Sequence, residues 1–322
     1  MEDTQIILKK GLKSLADRLN LADLSQSLCF PKYFEVETIR ACNAKCTMCT
    51  VNQWEGKNGR MSDSLFCKIS EEMSHYSDWI NSVCLSRNGE PLIDKNITDK
   101  IRILKDYGIR DVTFSTNASL LDEYKSIQLI ESGLDDIRFS IDGTTKKTFE
   151  SIRKGLNFEE VRENCLRFIR LRNERGQTPR IRVRMVLQKG NLHEESAWKE
   201  FWKARVSEND IVYSKAINSW GNQLPSYKTA NVEKYSCTPC ISPWSTMIIH
   251  FDGKVPLCGC DFNNTINLGD VNNYSIKEIW QSENFNKIRE MHSSGKRNDI
   301  PLCPGCNVWD IEEKKVYKNI GE

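Results

Sequence analysis

The sequence has no long apolar run, no excess of charge of either sign and no secretion-type start, and each absence removes a class of function. No stretch of about 18 apolar residues occurs, so no membrane-spanning helix is expected. The opening Met1-Glu2-Asp3-Thr4 is acidic and leads into no apolar signal region, so a reducing cytoplasm is the expected compartment. Lys and Arg number 46 against 44 Asp and Glu, which gives no electrostatic case for nucleic acid or a membrane surface as partner. Against these absences stand 13 cysteines. In a chain without a secretion signal they argue for metal binding rather than for a disulfide framework.

Three of them crowd into Cys42-Asn43-Ala44-Lys45-Cys46-Thr47-Met48-Cys49, a C-x3-C-x2-C loop following a β-rich run. Three thiols can curl around one metal centre yet leave it one ligand short. Structural zinc wants four protein ligands, and an electron-transfer 4Fe–4S cluster usually has four cysteines. A cluster held by three keeps one iron open, which suggests chemistry rather than storage of electrons.

The 322 residues suffice for one large domain or two moderate ones. Residues 1–32 carry Ile7, Leu8, Leu12, Leu15, Leu19, Leu21 and Leu24 at helical spacing, which predicts one or two amphipathic helices on the outside of the main domain, ended by Pro31. Residues 33–215 alternate strands (33–40, 81–86, 111–116, 136–141, 181–187, 210–214) with helices (62–76, 95–107, 122–132, 145–153, 158–174, 192–204). Ser62 and Asp122 stand at N-cap positions. Such alternation predicts an α/β fold with a parallel sheet and right-handed crossovers. Six units are too few to close an eight-fold barrel. Residues 216–235 lose all period and read as a linker into a second module, 216–322.

The triple-Cys loop resembles that of the radical S-adenosylmethionine (SAM) enzymes, whose open iron chelates SAM, and the resemblance implies a partial (β/α)6 barrel. Asn88-Gly89-Glu90-Pro91 after the second strand is similar to the family's Gly-Gly-Glu element, with Asn88 in place of the first glycine. Ser115-Thr116-Asn117 and Ser140-Ile141-Asp142-Gly143 close the third and fourth strands. Ligands of parallel α/β folds gather at these carboxyl ends. By resemblance Gly89, Glu90, Pro91 and Thr116 belong to the SAM site, Ser140 and Arg153 lie near its carboxylate or ribose, and the run from Arg184 to Leu187 near its adenine. Arg180, Arg182 and Arg184 share one face of the fifth strand; one of them could clamp an anion, or all could serve a solvated rim.

The chain from 237 onward holds Cys237, Cys240, Cys258, Cys260, Cys303 and Cys306 around an Asp252-Gly253 hairpin turn and a helix predicted over 275–291. It resembles the SPASM/twitch extension of some radical SAM enzymes. In its one-cluster form that extension implies an auxiliary 4Fe–4S cluster on Cys240, Cys258, Cys303 and Cys306. The block C-x2-C-x5-C-x3-C of the two-cluster form is missing. Cys237 is a rival ligand, and a zinc ribbon of Cys237, Cys240, Cys303 and Cys306 is a second arrangement. Cys29, Cys67, Cys84 and Cys165 read as buried small hydrophobes.

The resemblance implies reductive SAM cleavage at the Cys42/Cys46/Cys49 cluster, hydrogen abstraction by a 5′-deoxyadenosyl radical, and an electron passed on to the auxiliary cluster. It also implies a flavodoxin- or ferredoxin-type reductant. Residues 1–32 are too short for a leader-peptide-binding module, so a sugar, cyclitol or similar small polar substrate is expected ahead of a ribosomal peptide. Dehydrogenation is expected, with epimerisation using a thiol such as Cys260 also open. A non-catalytic iron–sulfur or zinc scaffold is the reading from another class. Asp142 and Asp261 lie near the motifs as acid/base groups, but nothing in the sequence selects either.

Overall fold

The computed structural model describes residues 2–176, 178–221, 223–224 and 238–306. Helix α1 (Glu2–Arg18) leads to a 3-10 turn, Leu24–Leu28, where the Asp23 side chain accepts the Ser25 N–H at 2.8 Å. The apolar stripe of α1 does not lie on the barrel as the sequence suggests. Leu15 and Leu19 pack with Ile241 and Trp244 of the C-terminal segment, and the buried Trp280 indole donates to the Ser27 carbonyl at 2.8 Å.

Strand β1 (Tyr33–Val36) stops early, because Glu37 turns inward and its carboxylate accepts the Phe251 N–H at 3.1 Å. The rest of the expected strand becomes β2 (Ile39–Arg40), which leaves the main sheet and pairs antiparallel with β3 (Gly59–Arg60). The repeating units then follow: α2 (Asp63–Ser74) and β4 (Ser82–Cys84), α3 (Ile97–Asp106) and β5 (Val112–Thr116), α4 (Glu123–Ile130) and β6 (Asp136–Ser140). Helices α5 (Lys146–Ile152) and α6 (Phe158–Asn173) lead to β7 (Arg180–Leu187), and α7 (Glu195–Lys203) leads to β8 (Ile211–Ala216). The caps stand where the sequence put them, Ser62 accepting from Leu65 N and Asp122 from Lys125 N.

After α8 (Ser242–Ser245), strand β9 (Thr246–Ile249) returns to the barrel and pairs parallel with β1. The sheet thus has seven parallel strands in the order β8-β7-β6-β5-β4-β1-β9, one more than the six expected. Four consecutive buried residues in β9 are what a strand covered on both faces looks like. Past the turn at Gly253, whose φ is +91°, β10 (Lys254–Pro256) pairs antiparallel with β11 (Asn267–Asp270). The helix predicted as one piece is two, α9 (Ile276–Trp280) and α10 (Glu283–Ser293), because the Ser282 hydroxyl caps a fresh start by accepting from Phe285 N.

Alternation along the strands sorts the two faces of the sheet. Val112 and Phe114, Ile137 and Phe139, and Ile181, Val183 and Met185 bury against the helices. Each such side chain contributes on the order of 1.5–3 kcal/mol of burial. The intervening residues, Thr113 and Ser115, Arg138, Arg182 and Arg184, line the opposite, polar side. That side is the barrel lumen.

Candidate active site and cluster loops

The loop carrying Cys42, Cys46 and Cys49 is held by its backbone and by Asn43, whose Nδ2 donates to Ser119 Oγ (2.8 Å) and whose Oδ1 accepts from Asn117 Nδ2 (3.0 Å). Lys45 N donates to Lys154 O at 2.8 Å and Thr47 N to Ile152 O at 2.9 Å, so the end of α5 fixes its course. Ala44 N points at the Cys42 sulfur (3.4 Å), and Cys49 N donates to Cys46 O. The three thiols act on one another. Burial, helped by Glu90, Cys46 and Cys49, pushes the Cys42 thiol up to about 12. Burial likewise raises Cys46, against the pull of Arg153, whose guanidinium lies 3.8 Å from its sulfur. Thiols held this way stay protonated until a cationic centre displaces their protons. The two carboxylates nearest the trio are spent elsewhere, Glu90 on Thr116, Asn117 and Leu92 and Asp142 on Arg153 and Val186, so the trio fits a cluster with one open iron.

The Asn88-Gly89-Glu90-Pro91 strap lies directly on this loop. Glu90 N donates to Ala41 O at 2.8 Å. A Cβ on Gly89 would stand 2.5 Å from Ile39 O and 2.8 Å from Ala41 O, at a φ of +113°, so only glycine permits the approach. The Glu90 carboxylate is buried and saturated: Thr116 Oγ1 donates at 2.6 Å, Asn117 N at 2.7 Å and Leu92 N at 3.1 Å. Thr116 therefore spends its hydroxyl on Glu90. Pro91 opens a short buried 3-10 turn, Pro91–Ile93.

Asp142 is fully buried, with one oxygen accepting Arg153 Nε (2.6 Å) and the other Val186 N (2.6 Å). Asp261 is also buried, and its oxygens accept the Thr265, Ile266 and Leu257 N–H groups. Both carboxylates tie up loops, and neither is available as a base. Ser140 accepts from Arg184 Nη2 at 3.1 Å on the lumen side. Leu187 departs from expectation: its side chain is buried in the core, so Val186 holds the lumen-facing position beside Arg184.

The second set of thiols converges at the far end of the chain. Burial raises Cys303, and the thiols of Cys258, Cys240 and Cys306 raise it further. Cys240 is pushed up to about 12 by burial, with Arg297 opposing and Cys306 and Cys258 adding to it. His292 accepts the Cys240 N–H at Nδ1 (3.3 Å), and its Nε2 lies 4.0 Å from the Cys303 sulfur. Arg297 donates to the carbonyls of Thr238 and Cys306, clamping both ends of the site. The four expected ligands thus share one neighbourhood. Cys260 joins them: its N–H points at the Cys258 sulfur (3.4 Å), and the thiols of Cys258 and Cys306, with burial, push its own thiol up. Cys237 lies outside the described residues, so the zinc ribbon is not visible in full. Among the described residues no three His, Cys, Asp or Glu side chains are grouped to hold a single metal ion. Of the four thiols expected to be plain hydrophobes, Cys165 is buried, but Cys29 and Cys67 are exposed and Cys84 is partly so.

The two cysteine loops are joined to each other. Arg40 Nη2 donates to Phe262 O (3.3 Å) and Asn263 Oδ1 (2.8 Å), and Asn263 Nδ2 donates to Gln53 O. Trp220 spans the gap, its indole donating to Met48 O at 3.2 Å and its ring meeting Phe262 edge-on. Arg87, which sequence reasoning passed over, pairs with Glu35 at 2.9 Å, lies over the Trp220 ring and presses on Gly259 between Cys258 and Cys260.

Comparison with known proteins agrees with this geometry. The model of the radical SAM superfamily matches residues 36–196, and that of the SPASM iron-sulfur cluster-binding domain matches 240–307. The chain is 25% identical to the tungsten-containing aldehyde ferredoxin oxidoreductase cofactor-modifying protein of Pyrococcus furiosus, over 87% of this chain and 88% of that one. It is 22% identical to the S-adenosyl-L-methionine-dependent 2-deoxy-scyllo-inosamine dehydrogenase of Niallia circulans, over 88% and 95%. Among solved structures, BtrN in complex with AdoMet and 2-DOIA shares the fold at a TM-score of 0.59 and 20% identity, covering 86% of this chain and 93% of that one. Streptococcus suis SuiB bound to its precursor peptide SuiA does so at 0.62 and 15%, covering 83% and 69%. With the superfamily model spanning half of the sequence and the triple-thiol loop in place beneath its glycine strap, the chain belongs to the radical SAM superfamily, as a SAM- and iron–sulfur-dependent oxidoreductase with a C-terminal SPASM module.

Proposed function

We propose that this enzyme dehydrogenates a small polar alcohol, a sugar or cyclitol, inside the barrel lumen. The observation that carries the reading is the joining of the two thiol loops to each other through Arg40, Trp220 and the 258–263 loop. An electron left on a substrate in that cavity has an acceptor at its wall, so hydrogen abstraction becomes a net two-electron oxidation. SAM bound at a three-cysteine 4Fe–4S cluster supplies the abstracting radical, with a flavodoxin- or ferredoxin-type protein as reductant.

The chain's own residues would divide the task as follows. Cys42, Cys46 and Cys49 hold the first cluster, and Cys240, Cys258, Cys303 and Cys306 the auxiliary one. The strap of Gly89, Glu90 and Pro91 presents backbone to SAM and is stiffened by Thr116, while Ser140 and Arg153 lie towards its carboxylate or ribose and the run from Arg184 to Leu187 towards its adenine. Trp220 and the 258–263 loop keep water from the cavity, which protects a radical from quenching. The module boundaries of 33–215 and 216–322 are retained as functional units, although β9 lends one strand across them.

The activity of the Niallia circulans relative, a 2-deoxy-scyllo-inosamine dehydrogenase, supports this reading. The peptide-modifying alternative has the fold-level likeness to SuiB and no observation of its own. Epimerisation through Cys260 is disfavoured, because that thiol is engaged with Cys258 and Cys306 rather than turned to the lumen.

The test is a panel of sugars, cyclitols and aminocyclitols incubated anaerobically with reconstituted enzyme, SAM and reductant. Formation of 5′-deoxyadenosine together with a product two hydrogens lighter is expected from at least one member. Products of unchanged mass with inverted configuration would refute dehydrogenation.

A further inference from the structure

The lumen carries more positive charge than its neighbouring carboxylates answer. Register places Arg138 of β6 beside Arg182 of β7, and Ser140 beside Arg184. Asp136 is shared, its Oδ2 accepting the Nε of both Arg180 and Arg182 at 2.6 Å. Arg153 has Asp142, and Arg87 has Glu35. Arg138 and Arg184 are different. Arg138 Nη1 donates only to Ser115 Oγ (3.1 Å), and Arg184 Nη2 to Ser140 Oγ (3.1 Å). The Nε of each is buried without a partner, and among the described residues neither has a carboxylate in ion-pair reach. Burial lowers the Arg184 guanidinium's hold on its proton; Tyr213 is the main opposing influence, repulsion from Arg138 and Arg153 adds to the lowering, and the more distant Asp142 opposes it least.

Two neighbouring guanidiniums with only hydroxyl partners are an expensive arrangement in a partly desolvated cavity. A planar fork of N–H donors matches an oxyanion in both charge and shape. We propose that Arg138, with Ser115 and Arg184 beside it, forms an oxyanion subsite in the lumen that grips a phosphate or carboxylate group of the substrate. This rests on the reading of the lumen as the substrate cavity, and it narrows the class to an anionic sugar or cyclitol. The carboxylate of SAM is the other source of such a group. Arg138 stands two residues before Ser140, roughly 6.6 Å deeper along β6 at ~3.3 Å per residue. It is therefore set back from the strand ends where the thiol loop, Glu90 and Arg153 gather.

The experiment measures binding of inorganic phosphate, and of acetate in parallel, to the anaerobically reconstituted holoenzyme by equilibrium dialysis, with and without saturating SAM. One anion is expected to bind per chain, equally in both conditions. Arg138→Gln should weaken it at least about tenfold, Arg138→Lys less, and Arg162→Gln on the outer face of α6 not at all. Should Arg138→Gln fail to fold, Arg138→Lys and Ser115→Ala carry the comparison. The proposal is overturned if neither anion binds, if Arg138 variants bind as the wild type does, or if SAM displaces the anion, which would give the site to the SAM carboxylate. SAM cleavage by the wild-type preparation decides the radical SAM dehydrogenase reading separately, and its absence would leave the anion result standing.

Discussion

Glu37 offers a prediction whose sign and size both come from its surroundings. The residue ends β1, is fully buried, and keeps one carboxylate oxygen without a partner while the other accepts the Phe251 N–H. Burial raises its pKa from 4.5 to about 7, despite the opposing effects of Phe251, Asn88, Arg40 and Arg87. His250, which faces the same Arg87 and Arg40, is lowered to about 4 by burial and then by Arg87, so it stays neutral across the window. A carboxyl with a folded pKa above its unfolded value holds its proton more tightly in the native state. Its contribution is complete below about pH 4.5 and is lost as pH rises through about 7. At ~1.4 kcal/mol per pKa unit, the wild type should lose roughly 2 to 3 kcal/mol between about pH 5 and about pH 8. Glu37→Gln, neutral throughout, should lack that component. Denaturant titrations of the two holoenzymes at matched pH values measure the difference. A gap between wild type and Glu37→Gln that stays constant over that range would refute the buried-acid assignment.

Iron and sulfide analysis after anaerobic reconstitution should give about eight irons per chain, falling to about four when Cys42, Cys46 and Cys49 are all replaced by alanine. About four irons falling to none, with zinc bound, would turn the C-terminal module into a zinc fold. Gly89→Ala forces a Cβ to within 2.5 Å of the Ile39 carbonyl at a φ of +113° and should cost at least about 3 kcal/mol; calorimetry should show a lowered melting temperature, and dialysis should show lost SAM binding. Asp142→Ala leaves the buried Arg153 without its partner at 2.6 Å and should cost roughly 3–5 kcal/mol by denaturant unfolding. Cys260→Ala should retain full iron content if that thiol only packs against the cluster ligands, and a loss of about four irons would make it a ligand.

The order of elements and the cysteine loops were legible in the sequence because both are local properties. Strand–helix alternation, N-caps such as Ser62 and Asp122, and the spacing of three thiols in eight residues need no partner from elsewhere in the chain. The misread strands concern pairing over long separations. Thr246–Ile249 shows no sign of its neighbour, and only the parallel register with Tyr33–Val36 makes it the seventh strand. The break at Glu37 is caused by Phe251, more than 200 residues on.

Charge balance in the lumen was hidden for the same reason. Arg180, Arg182 and Arg184 announce a basic face on one strand, but which of them is neutralised depends on Asp136 one strand over. Arg138, alone on β6, gave no periodic signal at all. Only the register of three strands shows that the shared carboxylate serves Arg180 and Arg182 and leaves Arg138 and Arg184 to hydroxyls. Reactivity in this enzyme is thus written in short motifs, whereas the proposed oxyanion subsite would place the choice of substrate in the differences between neighbouring strands. Two radical SAM chains with the same motifs can therefore differ in the charge their lumen selects, and exchanging Arg138 should change the substrate without touching the thiol loops.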